Sequence, residues 1–131
     1  MSLTNAEKLE HQRRFAAATA SGRPEDAAVL CADSAIVWHN YDDQSIPYAD
    51  TGKSLVWLHR KVPDIAWETR KVMATADGWV WQAAITGTAP GGPLRAQTCM
   101  IATLNDAGLV IQLDEYIDPV QMSPVRAKDS H

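Results

Sequence analysis

The chain has little cysteine, almost no phenylalanine, no run of positive charge and no long apolar stretch. Its two cysteines, Cys31 and Cys99, lie far apart in 131 residues, with no metal-type spacing and no redox motif. That excludes a paired-cysteine zinc site and points to reduced, buried thiols in a cytoplasmic protein. Net charge is −4 and no basic helix face occurs, which argues against a nucleic-acid partner. No apolar stretch approaches the ~20 residues of a membrane-spanning helix, so no membrane association is expected. Met1 to Glu7 lacks the charged-then-apolar pattern of a signal peptide. His11, His39, His59 and His131 are scattered, with no His–Glu spacing typical of zinc, so no metal is expected. Gly87, Gly91 and Gly92 sit in a β-turn context and make no phosphate loop. No Ser or Cys stands in a nucleophile elbow.

What is present suits a single domain over residues 1–131, with 123–131 as a loose, polar tail. The hydrophobic share, 46 %, is ordinary for a globular protein. Five tryptophans beside one phenylalanine are unusual, and suit a pocket lining or a subunit interface.

Thr4-Asn5-Ala6-Glu7 is a capping box and predicts a first helix. Its stripe is read as Ala6, Leu9, Ala16 and Ala20, and Ser21-Gly22 stops it. Arg13 falls on that stripe and is read as a snorkelling surface residue. Pro24 opens a second helix to about Ala32, with Glu25 and Asp26 in its first turn. Ser34 to Asn40 reads as a strand, Asp42 to Asp50 as a polar loop, and Thr51 as the cap of a third helix that Pro63 ends.

Beyond Pro63 the pattern becomes strands. Ala66 to Ala76, the Asp77-Gly78 turn and Trp79 to Thr88 predict a hairpin. Pairing Ala76 with Trp79 gives a core face of Val72, Ala74, Trp79, Trp81, Ala83 and Ile85. Pro90-Gly91-Gly92-Pro93 turns the chain into a strand from Leu94 to Leu104, and Leu109 to Asp118 closes the series. Sequential hairpins after helices predict an α+β fold: a curved, mostly antiparallel sheet wrapped around the N-terminal helices.

The last strand carries the candidate chemistry. Alternate strand residues share a face. Ile111, Leu113, Glu115 and Ile117 lie on one side, and Gln112, Asp114, Tyr116 and Asp118 on the other. Glu115 is thus a lone carboxylate on an apolar face. Burying an unpaired carboxylate is costly, so such a group is paired, kept protonated, or held at the sheet rim. A carboxyl in a cavity is also a natural general acid or base.

Neighbouring residues leave alternatives open. On the first strand Ile36, Trp38 and Asn40 share one face, and Val37, His39 and Tyr41 the other. On the third helix His59 falls with Leu55, Leu58 and Val62 and points to the sheet, as a core histidine or a pocket residue. In the last hairpin a four-residue loop sets Thr98 opposite Glu115. A three-residue loop with a bulge at Gly108 sets Cys99 there, and a one-residue slip reverses every face.

The order of elements, with Trp38-His39-Asn40 on the first strand and Glu115-Tyr116-Ile117-Asp118 on the last, resembles the nuclear transport factor 2-like superfamily. The nearest branch is the SnoaL-like group of polyketide cyclases, ketosteroid isomerases and limonene-epoxide hydrolases. The resemblance runs from about Ala6 to Met122 and implies a cone-shaped α+β barrel with a central pocket. Trp38-His39-Asn40 matches a Tyr-x-Asn motif of the epoxide hydrolases at Asn40 and departs from it at Trp38. Glu115 stands where that family has its catalytic Asp. Arg95-Ala96-Gln97 is the nearest counterpart of an Arg-x-Asp pair and lacks the carboxylate. Ketosteroid isomerases carry their basic Asp about where Asn40 stands, and an amide takes up no proton at neutral pH.

The resemblance therefore implies Glu115 as the acid–base group and Asn40 as the group that orients a substrate oxygen or water. Trp38, His59, Trp81 and either Thr98 or Cys99 would line the pocket. The implied chemistry is isomerisation, cyclisation, dehydration or water addition on a small, largely apolar carbonyl, hydroxyl or epoxide compound, without a cofactor. A ligand-binding or dimerising module of the same fold is the competing expectation. A homodimer is expected from the resemblance and from an apolar outer sheet face of Met73, Val80, Ala84 and either Met100 or Ile101.

Overall fold

A computed structural model describes residues 2–127. The described elements are α1 (Asn5–Ser21), α2 (Pro24–Ala28), β1 (Cys31–His39), β2 (Gln44–Pro47), α3 (Tyr48–Lys61), β3 (Ala66–Ala74), β4 (Gly78–Ala89), β5 (Gly92–Leu104), β6 (Val110–Ile117) and α4 (Ser123–Arg126). The strands form one sheet in the order β2-β1-β6-β5-β4-β3. Every neighbouring pair is antiparallel except β1 and β6, which run parallel. Helices lie against one face, giving the expected α+β architecture.

The capping box forms as read: Glu7 N donates to Thr4 Oγ1 at 3.1 Å and Thr4 N to Glu7 Oε1 at 2.8 Å. Gly22 ends α1 with φ +74°, and a Cβ there would stand 2.8 Å from the His59 ring. Both the backbone angle and the close approach demand glycine.

The buried face of α1 differs from the apolar stripe. Lys8, His11, Gln12, Phe15, Ala18 and Thr19 are buried, while Leu9 stays 39 % exposed. Lys8, His11 and Thr19 tolerate this because their polar atoms are hydrogen-bonded. Lys8 Nζ donates to the carbonyls of Thr75 and Ala76 at 2.8 and 3.0 Å. Trp79 Nε1 donates to His11 Nδ1 at 3.0 Å, so Nε2 is the protonated nitrogen and donates to the Leu30 carbonyl at 3.0 Å. Arg13 is on the surface, paired with Glu10.

Two boundaries shift because strand pairing wins over helix signals. α2 stops at Ala28, since Cys31 already pairs with Val110. The expected loop over Asp42 to Asp50 contains β2, paired with β1 through Ile46 and Val37, and runs straight into α3 at Tyr48. Thr51 lies inside the helix and does not cap it. The supposed loose tail is ordered as far as it is described. Ser123–Arg126 forms α4, with Val125 1 % exposed among Val62, Ile85, Leu94 and Ala96. Residues 128–131 lie outside the described residues.

The central hairpin slips by two residues from its reading, and the last hairpin by two from the Thr98 alternative and by one from the Cys99 alternative. Ala74, not Ala76, faces Trp79. Met100 faces Glu115, while Thr98 faces Ile117 and Cys99 faces Tyr116. An even slip preserves each side chain's face. The register shift between Leu104 and Thr103 puts Val110 in the core and leaves Ile111 39 % exposed. A large core joins Phe15, Val37, Trp79, Trp81, Met100 and Leu113 between helices and sheet.

Candidate active site

Between α1, α3, α4 and the inner sheet face lies a cavity of about 230 Å³. Phe15, Tyr48, Leu55, Trp57, Leu58 and Trp67 form its helix side and far edge. Val37, Ile85, Met100, Leu113, Glu115 and Ile117 form the sheet side, with Tyr41, Met122 and Arg126 also on the wall. An apolar, aromatic wall with few polar groups is the usual make-up of a small-molecule site.

Glu115 reaches this wall because β6 alternates. Leu113 and Ile117 share its side, and Met100 stands opposite on β5. It is not the unpaired carboxylate that its neighbours suggest. His39, its register partner across the parallel β1–β6 pair, places Nε2 3.2 Å from Oε1. The His39 side chain is 10 % exposed and that of Glu115 20 %. The hydrogen bond to Glu115 raises the pKa of His39, burial opposes the rise, and the charges of Glu115 and Asp42 add to it. The His39 ring lies 5.1 Å from that of Tyr41. Burial, then the charges of Asp42 and Glu115, push the Tyr41 phenol up, while Arg126 draws it down. Burial also pushes the Tyr48 phenol up, so Tyr48 remains a neutral hydroxyl at any physiological pH.

β1 turns the opposite face inward from the one the Tyr-x-Asn resemblance favours. Ala35, Val37 and His39 are buried, and Ile36 is 40 % exposed. Trp38 and Asn40 therefore stand away from the cavity. Trp38 Nε1 donates to Asp43 Oδ1 at 2.8 Å, and its ring packs edge-on against Tyr116. Asn40 joins two strand ends: its N–H donates to the Glu115 carbonyl at 3.2 Å, and its Oδ1 accepts from Ile117 N at 2.8 Å. Its side chain lines an outer hollow with Gln97, Cys99 and Tyr116.

The other expected lining residues also lie off the cavity wall. Trp81 is 1 % exposed in the core and donates to Thr69 Oγ1 at 3.0 Å. His59 stacks on Trp67 at 5.7 Å and contacts the Thr19 carbonyl at 3.1 Å through Nε2, as a core histidine does. Cys99 lies on the outer face. Thr98 shares the inner parity of Met100, but its buried hydroxyl has no hydrogen-bond partner among the described residues.

The site expected from the sequence lacks His39, Tyr48 and Arg126, and it leaves Met100 open with the register of the last hairpin. The Val37–His39–Tyr41 face was a visible signal for the first. The others depended on register, on the start of α3 and on the docking of α4. Among the described residues no group of three or more His, Cys, Asp or Glu side chains could hold a metal ion.

No family model and no curated protein sequence matches the chain. Solved structures do match along most of its length. PrhC from Penicillium brasilianum NBRC 6234 superposes with a TM-score of 0.82 at 16 % identity, covering 94 % of this chain and 87 % of its own. A protein from Jannaschia sp. CCS1, assigned as a SnoaL-like polyketide cyclase, gives 0.79 at 17 % identity, covering 98 % and 97 %. A protein of ketosteroid isomerase-like fold from Catenulispora acidiphila DSM 44928, solved with trimethylamine bound, gives 0.70 at 13 % identity, covering 82 % and 84 %. The chain has the nuclear transport factor 2-like fold, as the sequence resemblance implies.

Proposed function

We propose that this protein is an enzyme of cofactor-free acid–base chemistry, with Glu115 as the proton-transferring group. Its substrate is a small, largely apolar compound bearing a carbonyl, hydroxyl or epoxide oxygen. The reaction is an isomerisation, cyclisation, dehydration or water addition. One observation carries this reading: a single carboxylate stands on an apolar cavity wall, held 3.2 Å from a buried histidine. A carboxylate so held keeps one oxygen on His39 and leaves the other for a substrate proton. His39 is a positioning residue, since it stands behind Glu115 and off the wall. Tyr48 offers a neutral hydroxyl to a substrate oxygen. Asn40 acts indirectly, by fixing the β6 backbone at Glu115 and Ile117.

A non-catalytic module would suit a filled core better than an open cavity reaching Glu115. The neighbours assigned as polyketide cyclases or as ketosteroid isomerase-like favour the enzymatic reading. The test is deuterium exchange in heavy water at carbons next to the carbonyl of cyclic ketones such as 2-tetralone, followed by proton NMR. Exchange accelerated by the wild type and about 10²–10⁴ slower in Glu115→Gln supports the reading. Equal rates in both proteins would overturn it.

We further propose a homodimer built on the outer sheet face. Met73 is 44 % exposed there, and Val80 and Ile101 are half-buried beside it. Met100 has turned inward, and Ala84 is buried in a shallow hollow between Arg70 and Arg95. Light scattering at micromolar concentration is expected to return twice the 14.3 kDa chain mass. A monomer mass would refute the dimer. Two free cysteines accord with a reducing, cytoplasmic setting.

A further inference from the structure

Glu115 and Arg126 are the two formally charged side chains on the cavity wall. Their charges are answered differently. Glu115 has His39. Arg126 has no carboxylate among the described residues, and its Nη2 donates to the Pro119 carbonyl. Among the described residues Arg13, Arg23 and Arg95 have acidic partners and Arg14, Arg60 and Arg70 do not, but of these arginines Arg126 alone stands on the cavity wall. A guanidinium carries five N–H donors in a planar fork, so one bond to a backbone carbonyl leaves most of them free.

Arg126 is also held in place. Val125 beside it is 1 % exposed in the core. The Pro124 carbonyl accepts from Gly91 N at 2.9 Å. A Cβ at Gly91 would stand 2.7 Å from Ala127 Cβ and 3.0 Å from Pro124, so only glycine in the β4–β5 turn lets α4 sit this close. The Pro119 carbonyl then ties the guanidinium to the chain leaving β6. A fixed cation at the edge of an apolar cavity is a selectivity device, because forked N–H groups match a carboxylate.

We propose that the substrate is an apolar monocarboxylate, whose aromatic or alicyclic body fills the cavity and whose carboxylate pairs with Arg126. This rests on the cavity being the substrate site, and it narrows the substrate class within that reading. Arg126 is then a specificity-determining residue, and Glu115 keeps its separate role in proton transfer.

The test compares 2-naphthoate with its uncharged methyl ester by titration calorimetry at low salt. The wild type is expected to bind naphthoate about tenfold more tightly than the ester, with the preference shrinking as salt is added. Arg126→Gln is expected to bring the two within about twofold by weakening naphthoate alone, and Arg126→Lys to keep part of the preference. Arg126 is exposed, so these variants fold. A wild type that binds both probes equally, or a preference that survives Arg126→Gln, overturns the proposal while leaving the cavity a ligand site. Binding of neither probe overturns the proposal, and ketone exchange alone then decides the role of Glu115. Glu115→Gln separates the two readings further: it is expected to lose ketone exchange and keep the naphthoate preference.

Discussion

His39 and Glu115 are register partners across the one parallel strand pair, and their side chains meet at 3.2 Å with the histidine buried. Two adjacent parallel strands thus put a base and an acid on one side of the sheet. The pairing also couples the stability of the fold to the protonation of the candidate site.

Glu115 raises the pKa of His39, so the folded state holds this proton more tightly than the unfolded chain. The stabilisation is complete below the unfolded histidine value of about 6.5 and is lost as pH rises through the raised folded value. Glu115→Gln should therefore lower the melting temperature most near pH 6 and least above pH 8 or so, the loss at the acid end being on the order of 1–2 kcal/mol. A melting-temperature difference that is flat with pH would show that the pair does not titrate.

His11 has the opposite sign. Burial lowers its pKa, the hydrogen bond to the Leu30 carbonyl opposes this, and the charge of Arg14 adds to the fall. Nδ1 must accept from Trp79 Nε1, so protonation breaks that bond. Stability supplied by neutral His11 is present above about pH 6.5 and lost as pH falls through the lowered folded value. With His39 losing its contribution on the alkaline side, denaturant unfolding should show maximal stability at about pH 6.5. His11→Leu should flatten the limb just below the maximum and cost roughly 1–3 kcal/mol, because the Trp79 N–H is left unpartnered in the core.

Lys8 is buried, with its ammonium on the carbonyls of Thr75 and Ala76 in the β3–β4 turn. Lys8→Met keeps the apolar stem and removes the donors. It should destabilise the fold by about 1–2 kcal/mol. It should also speed amide hydrogen exchange around Thr75 to Gly78 before it does so in β5. Unchanged exchange there would show that α1 does not hold the turn.

Thr98 presents the reverse case, a buried hydroxyl without a partner among the described residues. Thr98→Val replaces it with a methyl group of similar shape. The variant should be about 1 kcal/mol more stable, with ketone exchange unchanged, since Thr98 lies off the cavity wall. A stability gain accompanied by loss of exchange would show that the hydroxyl serves the substrate.

Local chemistry made much of the fold legible. Thr4 and Glu7 wrote the start of α1, Pro63 the end of α3, and Asp77-Gly78 and Pro90-Gly91-Gly92-Pro93 the two central turns. Alternation on β6 put Glu115 among apolar neighbours. These signals are readable because each depends on residues a few positions apart. Pairing across the sheet is not written that way. Trp38 and Asn40 share a strand with Val37 and His39, and both faces carry apolar residues. Only the parallel contact with β6 decided that His39 turns inward to Glu115. The polar face of α1 is buried because Trp79 on β4 and the Thr75 and Ala76 carbonyls of the preceding turn satisfy it from more than sixty residues away. Arg126 reaches the cavity because Gly91, on another turn, leaves room for α4. Local signals wrote α1 to α3, β1 and β3 to β6, and they exposed the carboxylate, whereas β2 and α4 form only through pairing with β1 and docking on the core. The tertiary structure decided which partners complete the site, because those partners meet only through long-range pairing and packing.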